Sequence, residues 1–304
     1  MLDRFNPQLK LVSDEKFNKF LRGEKVYPIN IEISPSHTCN AKCPWCFYAG
    51  THIKKNVGMM NTEILKECLN DLKELDVKAI TWTGGGEPTI HPNFSELIEL
   101  ASQLEFKQGL FTNALAKPIY NPLLFEWIRV SNTDREWPIE NIKLLRKNTK
   151  SLGMAYNYAG DDDAVKESLK IGKEIKVDYV QIRQALNLRG LITDRHPPDI
   201  KDPILFITKY KFDDSNNPHG YSKCYGYHFV PFIWYNGNID VCGYMNKCGV
   251  PYTIGNLHVK RIKQILDDVP RSVPVVGNCQ VCCKNHLINK IINEALELKD
   301  KEFV

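Results

Sequence analysis

Residues 39–46 read Cys39-Asn40-Ala41-Lys42-Cys43-Pro44-Trp45-Cys46, and they follow an apolar, strand-like run from Ile29 to Ile33. Thiolates are soft ligands that select iron–sulfur clusters or zinc. Three thiolates on one short loop can hold three corners of a cube-shaped cluster, which leaves the fourth iron without a protein ligand. Because a small chelating molecule can bind and be reduced at that iron, the loop predicts a redox-active centre that organises the chain.

A structural zinc site or a redox pair is the alternative for these three cysteines. Closed zinc sites usually add a matched second pair of ligands, and none follows within the next thirty or so residues. Cys68 stands alone there, on the apolar stripe of a predicted helix, and is interpreted as a small buried hydrophobic residue. The spacing therefore favours a cluster.

The spacing Cys-x3-Cys-x2-Cys, with aromatic Trp45 before the third cysteine, resembles the signature of the radical S-adenosylmethionine (radical SAM) superfamily. The resemblance implies that Cys39, Cys43 and Cys46 hold a [4Fe-4S] cluster whose open iron binds the amino and carboxylate groups of SAM. It also implies that Trp45 packs near the adenine. In this family an electron from the cluster cleaves SAM to methionine and a 5′-deoxyadenosyl radical, which abstracts hydrogen from a substrate carbon.

Composition gives no signal for nucleic acid or membrane. The 304 residues include 40 Lys and Arg against 36 Asp and Glu, so the net charge is only +4. The longest apolar runs fall short of the roughly 20 residues that a membrane span needs, and residues 1–10 lack the apolar segment of a secretory signal. We therefore expect a cytoplasmic protein. In that compartment the ten cysteines indicate metal ligation or catalysis rather than disulfides.

Six strand-like runs, each followed by a helical pattern, predict a parallel sheet with right-handed crossovers. The runs are 29–33, 78–83, 108–112, 128–131, 154–158 and 179–183. Asn121-Pro122 predicts a further helix through Trp127, and Asp161-Asp162-Asp163 predicts a helix cap. The resemblance implies an α/β fold, a partial (β/α)6 TIM-like barrel with a small cysteine-rich, twitch-like C-terminal extension made of a β-hairpin plus a helix.

The run Gly84-Gly85-Gly86-Glu87-Pro88 follows the second predicted strand. Consecutive glycines allow conformations that other residues avoid and let a ligand approach exposed amides. At this place the run resembles the Gly-Gly-Glu motif of the family, which implies that Gly85, Gly86 and Glu87 contact the SAM amino group. The run is one glycine longer than the motif requires, so the role of Gly84 stays open.

Three further candidate SAM ligands stand at the carboxyl ends of predicted strands, where the loops of a barrel build its active site. They are Asn113, Ser131 and Arg183. In relatives the position of Ser131 offers an oxygen to the SAM ribose, and the alternative is a polar cap of the next turn. Arg183 can meet the SAM carboxylate with paired donors, and the alternative is a solvated charge.

The C-terminal cysteines resemble the auxiliary-cluster region called the twitch, a shorter relative of the SPASM domain. The resemblance is carried by Cys224, by a Gly-Asn-x-x-x-Cys hairpin ending in Cys242, and by the pair Cys279 and Cys282. It implies a second, auxiliary [4Fe-4S] cluster with four thiolate ligands, although four cysteines can equally hold structural zinc. Because His286 follows where the SPASM pattern has more cysteines, one auxiliary cluster is expected rather than two.

Cys248 and Cys283 remain unassigned by this pattern. Each can replace one of the four ligands, give a hydrogen atom to a substrate radical, or simply pack in the fold. We keep both as candidate catalytic hydrogen donors.

The predicted organisation has four parts. They are an N-terminal lead-in (1–28), a radical SAM partial barrel (29–190), a bridge (191–223) without periodicity, and a twitch-like region with a C-terminal helix (224–304).

The resulting hypothesis is a radical SAM enzyme that oxidises, or forms a bond in, a peptide-like or natural-product substrate, with the auxiliary cluster as electron acceptor. An electron donor such as flavodoxin or ferredoxin is implied. Three alternatives stay open. They are a redox-neutral epimerase or rearrangement, a sugar- or nucleotide-modifying radical SAM enzyme, which the lack of an N-terminal peptide-binding domain favours, and a non-catalytic zinc-binding adaptor.

Overall fold

The computed structural model of the chain describes residues 6–46, 58–118, 120–187, 190–191, 196–208, 212, 220–243, 252–275 and 285–298. Its strands are β1 (Asn30–Ile33), β2 (Ala79–Trp82), β3 (Lys107–Thr112), β4 (Trp127–Ser131), β5 (Leu152–Tyr158), β6 (Tyr179–Gln184), β7 (Leu186–Asn187), β8 (Gly190–Leu191), β9 (Leu205–Ile207), β10 (Lys223–Cys224), β11 (Phe232–Ile233), β12 (Asn238–Asp240), β13 (Thr253–Asn256) and β14 (Val273–Pro274).

One ten-stranded sheet dominates the fold, in the order β13-β12-β11-β1-β2-β3-β4-β5-β6-β9. Strands β1 to β6 are parallel and follow chain order, which confirms the predicted α/β class and its six parallel strands. β9 adds a seventh parallel strand beside β6. It lies within the segment predicted as a bridge, because a three-residue strand is too short to leave a periodic pattern.

The helices are α1 (Pro7–Val12), α2 (Glu15–Leu21), α3 (Thr62–Glu74), α4 (Phe94–Gln103), α5 (Ile139–Lys147), α6 (Asp162–Ile175), α7 (Ile262–Asp267) and α8 (Asn285–Glu297). The predicted cap of α6 is confirmed, since the Asp161 carboxylate accepts from the Ala164 amide at 3.0 Å. Among the described residues, no helix combines the length and the apolar character that crossing a bilayer requires.

The predicted helix from Asn121 to Trp127 was wrong. Only one 3-10 turn forms, Pro122–Leu124, and Trp127 already begins β4. The Asn121 side chain caps this turn by accepting from the Leu123 amide, and Phe125 is fully buried. The Trp127 ring lies against Gly109, on the neighbouring strand β3, where any Cβ would collide with it. Cross-strand packing therefore decides the conformation of a segment whose local signals are helical.

The C-terminal hairpin continues the barrel sheet. β11 and β12 pair antiparallel around the predicted turn at Asn236-Gly237-Asn238, and β11 pairs in parallel with β1. Gly237 has a φ of +81°, a conformation that favours glycine. The hairpin therefore lies next to the strand that precedes the cysteine loop.

Three hydrophobic clusters stabilise the described part of the molecule, and two of them are large. The larger packs the sheet against its crossover helices and contains fully buried side chains such as Trp82, Leu69 and Ile128. The smaller joins the two ends of the chain, because residues of α1 and α2 pack against α8 and the segment before β11. Its members are Leu11, Phe17, Phe20, Val26, Tyr225, Phe229, Val230, Ile288 and Ile292.

Candidate active site

A cavity of about 1000 Å³ runs through the interior of the barrel. Its lining includes every predicted residue of the cluster and SAM sites: Cys39, Cys43, Trp45, Cys46, Gly85, Gly86, Glu87, Asn113, Ser131 and Arg183. These residues come from the ends of five different parallel strands. Parallel strands end at one edge, and the structure therefore brings the residues together.

The cysteine loop is tied to the end of β4. The Asp134 carboxylate accepts from the Lys42 amide at 3.0 Å, and the Cys43 thiol lies 4.0 Å from the same oxygen. The Cys46 amide donates to the Cys43 carbonyl at 3.0 Å, which closes a tight turn between the two ligands. Burial raises the pKa of the Cys43 thiol to about 11 and also raises that of Cys39. A metal must therefore displace protons to bind there.

The glycine run packs directly on the start of the cysteine loop. The amides of Gly85, Gly86 and Glu87 donate to Ser34 Oγ (3.1 Å), Ser36 O (3.2 Å) and Thr38 O (2.9 Å). These amides are thus engaged, contrary to the expectation of exposed amides. A protonated amine, which needs acceptors, can instead approach the carbonyl oxygens of the run.

The Glu87 carboxylate is held in place by donors from its own loop and from the end of β3. It is almost completely buried and accepts from the hydroxyls of Thr89 (2.7 Å) and Thr112 (2.7 Å) and from the Asn113 amide (2.7 Å). Burial raises the pKa of Glu87, and these hydrogen bonds oppose the rise. Its oxygens therefore connect the glycine run to the end of β3.

Asn113 extends this connection to the first cysteine. Its side-chain amide donates to Asn40 Oδ1 at 2.7 Å and lies 3.8 Å from Cys39 Sγ. Asn40 was missed by the sequence analysis, because nothing in its local pattern shows that its partner follows 73 residues later.

The carboxyl ends of β4, β5 and β6 complete the wall of the cavity at the end where the cysteine loop lies. Ser131 and Arg183 line the cavity there, together with Asn157, which the sequence analysis also missed. The Asn157 side-chain amide donates to Asn132 Oδ1 at 3.0 Å, and this bond joins the ends of β4 and β5.

Arg129 is a further residue that the sequence analysis passed over. It projects from the middle of β4 into the cavity, between Trp127 and Ser131 on the same inner face. A charged residue between the apolar Ile128 and Val130 of a strand was the available signal.

The predicted auxiliary-cluster residues are described only in part. Cys224 and Cys242 both contact one small apolar cluster beside the first turns of α8. Asn289 of α8 donates to Cys224 Sγ at 3.2 Å, and Asn285 donates to the carbonyl of Val241, the neighbour of Cys242. Cys248, Cys279, Cys282 and Cys283 lie outside the described residues.

The described residues fit a cluster with bound SAM. Three thiols face one end of a cavity whose volume is at the upper limit of the about 300–1,000 Å³ typical of ligand pockets. Carbonyl acceptors, a serine hydroxyl and a guanidinium line the same end. No three His, Cys, Asp or Glu side chains within the described parts of the chain could share a single metal ion, and a cube-shaped cluster does not require this because each thiolate binds a different iron.

Comparison with known proteins gives a family and several relatives. Residues 33–172 match the family model described as the radical SAM superfamily. The S-adenosylmethionine-dependent nucleotide dehydratase of Flammeovirga pacifica is 26% identical over 234 residues, which cover 68% of this chain and 77% of that protein. The mycofactocin maturase MftC of Mycobacterium tuberculosis is 31% identical over only 75 residues, 25% of this chain and 18% of that one.

Among solved structures, SuiB of Streptococcus suis bound to precursor peptide SuiA superimposes with a TM-score of 0.63. The identity is 17%, and the match covers 86% of this chain and 69% of SuiB. At that identity the likeness concerns the fold.

Proposed function

The chain is a radical SAM enzyme, and from that premise we propose that it abstracts hydrogen from a peptide-like or natural-product substrate held inside the barrel. The proposal is carried by one observation, the cavity that joins the cysteine loop, the glycine run and the ends of β4 and β6. Its volume accommodates SAM together with a substrate.

The family implies a [4Fe-4S] cluster and SAM, which when bound supply the electron and the 5′-deoxyadenosyl radical. Cys39, Cys43 and Cys46 are the proposed ligands. The carbonyls of the glycine run, together with Glu87, would receive the SAM amino group, and the buried hydrogen bonds of Glu87 hold that run in position. Ser131 accepts or donates at the ribose, Arg183 meets the SAM carboxylate, and Trp45 covers the adenine.

The auxiliary cluster remains part of the proposal. Cys224, Cys242, Cys279 and Cys282 are its proposed ligands, and as an electron acceptor it favours a net oxidation or bond formation. The buried Asn289 amide beside Cys224 supports a thiolate there, because hydrogen bonds to sulfur stabilise the negative charge. A flavodoxin- or ferredoxin-like protein is the proposed electron donor.

A nucleotide substrate is the second candidate. The nucleotide dehydratase of Flammeovirga pacifica aligns over about three times as many residues as MftC does. MftC is named for maturing mycofactocin, and SuiB was crystallised with a precursor peptide. For this reason a peptide-like or natural-product substrate is proposed first, and a nucleotide substrate second.

Anaerobic reconstitution with iron, sulfide, SAM and dithionite tests the enzyme proposal. The wild-type chain should bind iron and form 5′-deoxyadenosine, and Cys39→Ala should lose this activity together with about four iron atoms, those of one [4Fe-4S] cluster. Cys68→Ala is the matched control, because Cys68 is buried in the core and lies outside the cavity lining. A colourless wild-type chain that retains zinc and leaves SAM intact would support the adaptor instead.

Iron counting tests the auxiliary site. Wild-type chain should hold about eight iron atoms, and Cys242→Ala about four, because two [4Fe-4S] clusters are proposed. Separate Cys248→Ala and Cys283→Ala variants then test hydrogen donation. If both variants form the same product as the wild type, these thiols are not hydrogen donors. If the wild type transfers deuterium into the product and one variant does not, the thiol missing from that variant is the donor.

A further inference from the structure

The inner face of the barrel is unusually polar for this architecture. Bulky branched side chains commonly fill a TIM-like barrel. Here Glu32, Thr81, Arg129, Gln181 and Arg183 line the cavity instead. Polar groups of this kind need partners when water is removed, which indicates that a polar ligand occupies this space.

Arg129 is fixed by three aromatic rings. Its guanidinium carbon lies 4.8 Å from the centroid of Phe111, 5.4 Å from that of Trp127 and 5.6 Å from that of Tyr179. Such contacts are attractive at up to about 6 Å. The rings restrict the side chain to one position within the cavity.

Hydrogen bonds fix its orientation. Arg129 Nε donates to the Tyr179 hydroxyl at 3.0 Å, and Nη1 donates to Gln181 Oε1 at 2.6 Å. Gln181 in turn donates to Thr208 Oγ1 at 2.7 Å. These hydrogen bonds orient the guanidinium toward the interior of the cavity that Arg129 lines.

We propose that Arg129 is an anion-binding residue, which receives a carboxylate or phosphate oxygen of the substrate. The pre-organised guanidinium loses little conformational entropy on binding such a group. The substrate of the proposed enzyme would thus carry an acidic group. This inference rests on the proposed function only because that function places SAM at the ends of the strands.

The position of Arg129 also orients the substrate. Arg129 lies two residues before Ser131 on β4, and therefore about 7 Å deeper in the barrel than the proposed ribose site. The acidic group of the substrate points toward the amino ends of the strands. Its reactive C–H bond lies several bonds away, near the cysteine loop.

Other charges line the same cavity and distinguish this subsite. Arg183 stands at the upper end of β6, where it is assigned to SAM, and Glu32 stands on β1, three strands from Arg129. At the amino end, Lys107 pairs with Glu126. Among the described lining residues, Arg129 is the cation that stands in the middle of a strand.

Calorimetric titration of the reconstituted, SAM-bound chain with inorganic pyrophosphate and with glutarate tests the subsite. We expect at least one probe to bind the wild-type chain, and Arg129→Met to weaken it by about tenfold or more. Arg129→Lys should recover part of the affinity. Arg22→Met is the matched control, because Arg22 is an exposed arginine paired with Glu24. This variant should bind the probe with the affinity of the wild-type chain.

The two probes separate two sources of the anion. Binding of pyrophosphate alone supports a phosphate-bearing substrate such as a nucleotide, and binding of glutarate alone supports an acidic peptide or amino acid. If neither probe binds the wild-type chain at 10-millimolar levels (about the weak limit of specific sites), the proposal is overturned.

A purely structural role for Arg129 gives a different result. In that case Arg129→Met lowers the melting temperature and leaves the affinity of the bound probe unchanged, which overturns the proposal. Formation of 5′-deoxyadenosine without substrate is measured on the same variant. If it persists in Arg129→Met while the probe is lost, the SAM chemistry and the anion subsite are shown to be separate.

Discussion

Glu87 shows how one buried carboxylate can serve two motifs. It accepts from Thr112 and Asn113 at the end of β3, and its own backbone amide donates to Thr38 before the first cysteine. The sequence resemblance assigns Glu87 to the SAM amino group. Its contacts also align the glycine run with the cysteine loop, while its contact with SAM stays a prediction.

Glu87→Gln is expected to destabilise the fold by about 1–3 kcal/mol, because one amide donor would then face the donors of Thr112 or Asn113. The free energy of unfolding is measured by urea titration. Glu96→Gln is the control, since Glu96 is an exposed carboxylate paired with Lys66. Equal stability of both variants would contradict the assigned role of Glu87.

Gly86 is required by a close approach of two loops. A Cβ at this residue would collide with the Thr38 carbonyl oxygen and with the backbone of His37. Backbone atoms cannot rotate away as a side chain can, so the two loops would have to separate.

Gly86→Ala should therefore weaken SAM binding to the reconstituted chain by roughly a hundredfold, the order expected for a displacement of about 1 Å in an active site. Calorimetric titration with SAM measures the change. Gly23→Ala serves for comparison, because Gly23 has a φ of +87° but an open surrounding. Wild-type SAM affinity in Gly86→Ala would show that the loops tolerate a methyl group.

At the scale of elements, Asp267 joins the end of α7 to the segment before β1. Its carboxylate accepts from Lys25 (2.5 Å), Lys263 (2.6 Å) and Tyr27 (2.7 Å). These donors hold the pKa of Asp267 well below its usual value of 3.8. The charged form is therefore favoured more strongly in the folded chain than in the unfolded chain.

Asp267→Asn is expected to cost about 1 kcal/mol at neutral pH, since the site is partly exposed. A carboxyl whose pKa falls on folding stabilises the protein above its unfolded pKa and loses this effect as pH falls further. The difference between wild type and variant should thus be constant from pH 5 to 8 and shrink below about pH 3.8. Denaturation curves across this range measure it, and a difference that grows on acidification would refute the assignment.

At the scale of the whole molecule, the two ends of the chain form one structural unit. Phe20 of α2 is 1% exposed and lies 5.4 Å from the ring of Phe229, while the Arg271 guanidinium stacks 4.0 Å from its centroid. The N-terminal helices thus brace the segment that leads into β11. Through β11 they support β1 and the cysteine loop that follows it.

Phe20→Ala should destabilise the chain by about 3–5 kcal/mol, because it leaves a large cavity in this second core. Thermal unfolding followed by circular dichroism measures the loss. Leu123→Ala is the control, since Leu123 is 56% exposed and should change stability by less than about 0.5 kcal/mol. Ordinary substitutions cost about 1 kcal/mol on average. A smaller loss of stability in Phe20→Ala would mean that the two ends of the chain are not coupled.

The sequence by itself determined the cysteine loop, the order of six parallel strands and the cap of α6. Each depends on residues within a few positions of one another, whose spacing sets periodicity and capping. The strand ends could therefore be placed at one edge, and the candidate cluster and SAM residues with them.

Only the tertiary structure decided the rest. It made Trp127 the start of a strand, occupied the amides of the glycine run, fixed Arg129 among three rings and joined Phe20 to Arg271, 251 positions away. These features depend on contacts between segments distant in the chain. Local patterns carry no information about such contacts, because burial and hydrogen-bond partners are set only when the elements pack.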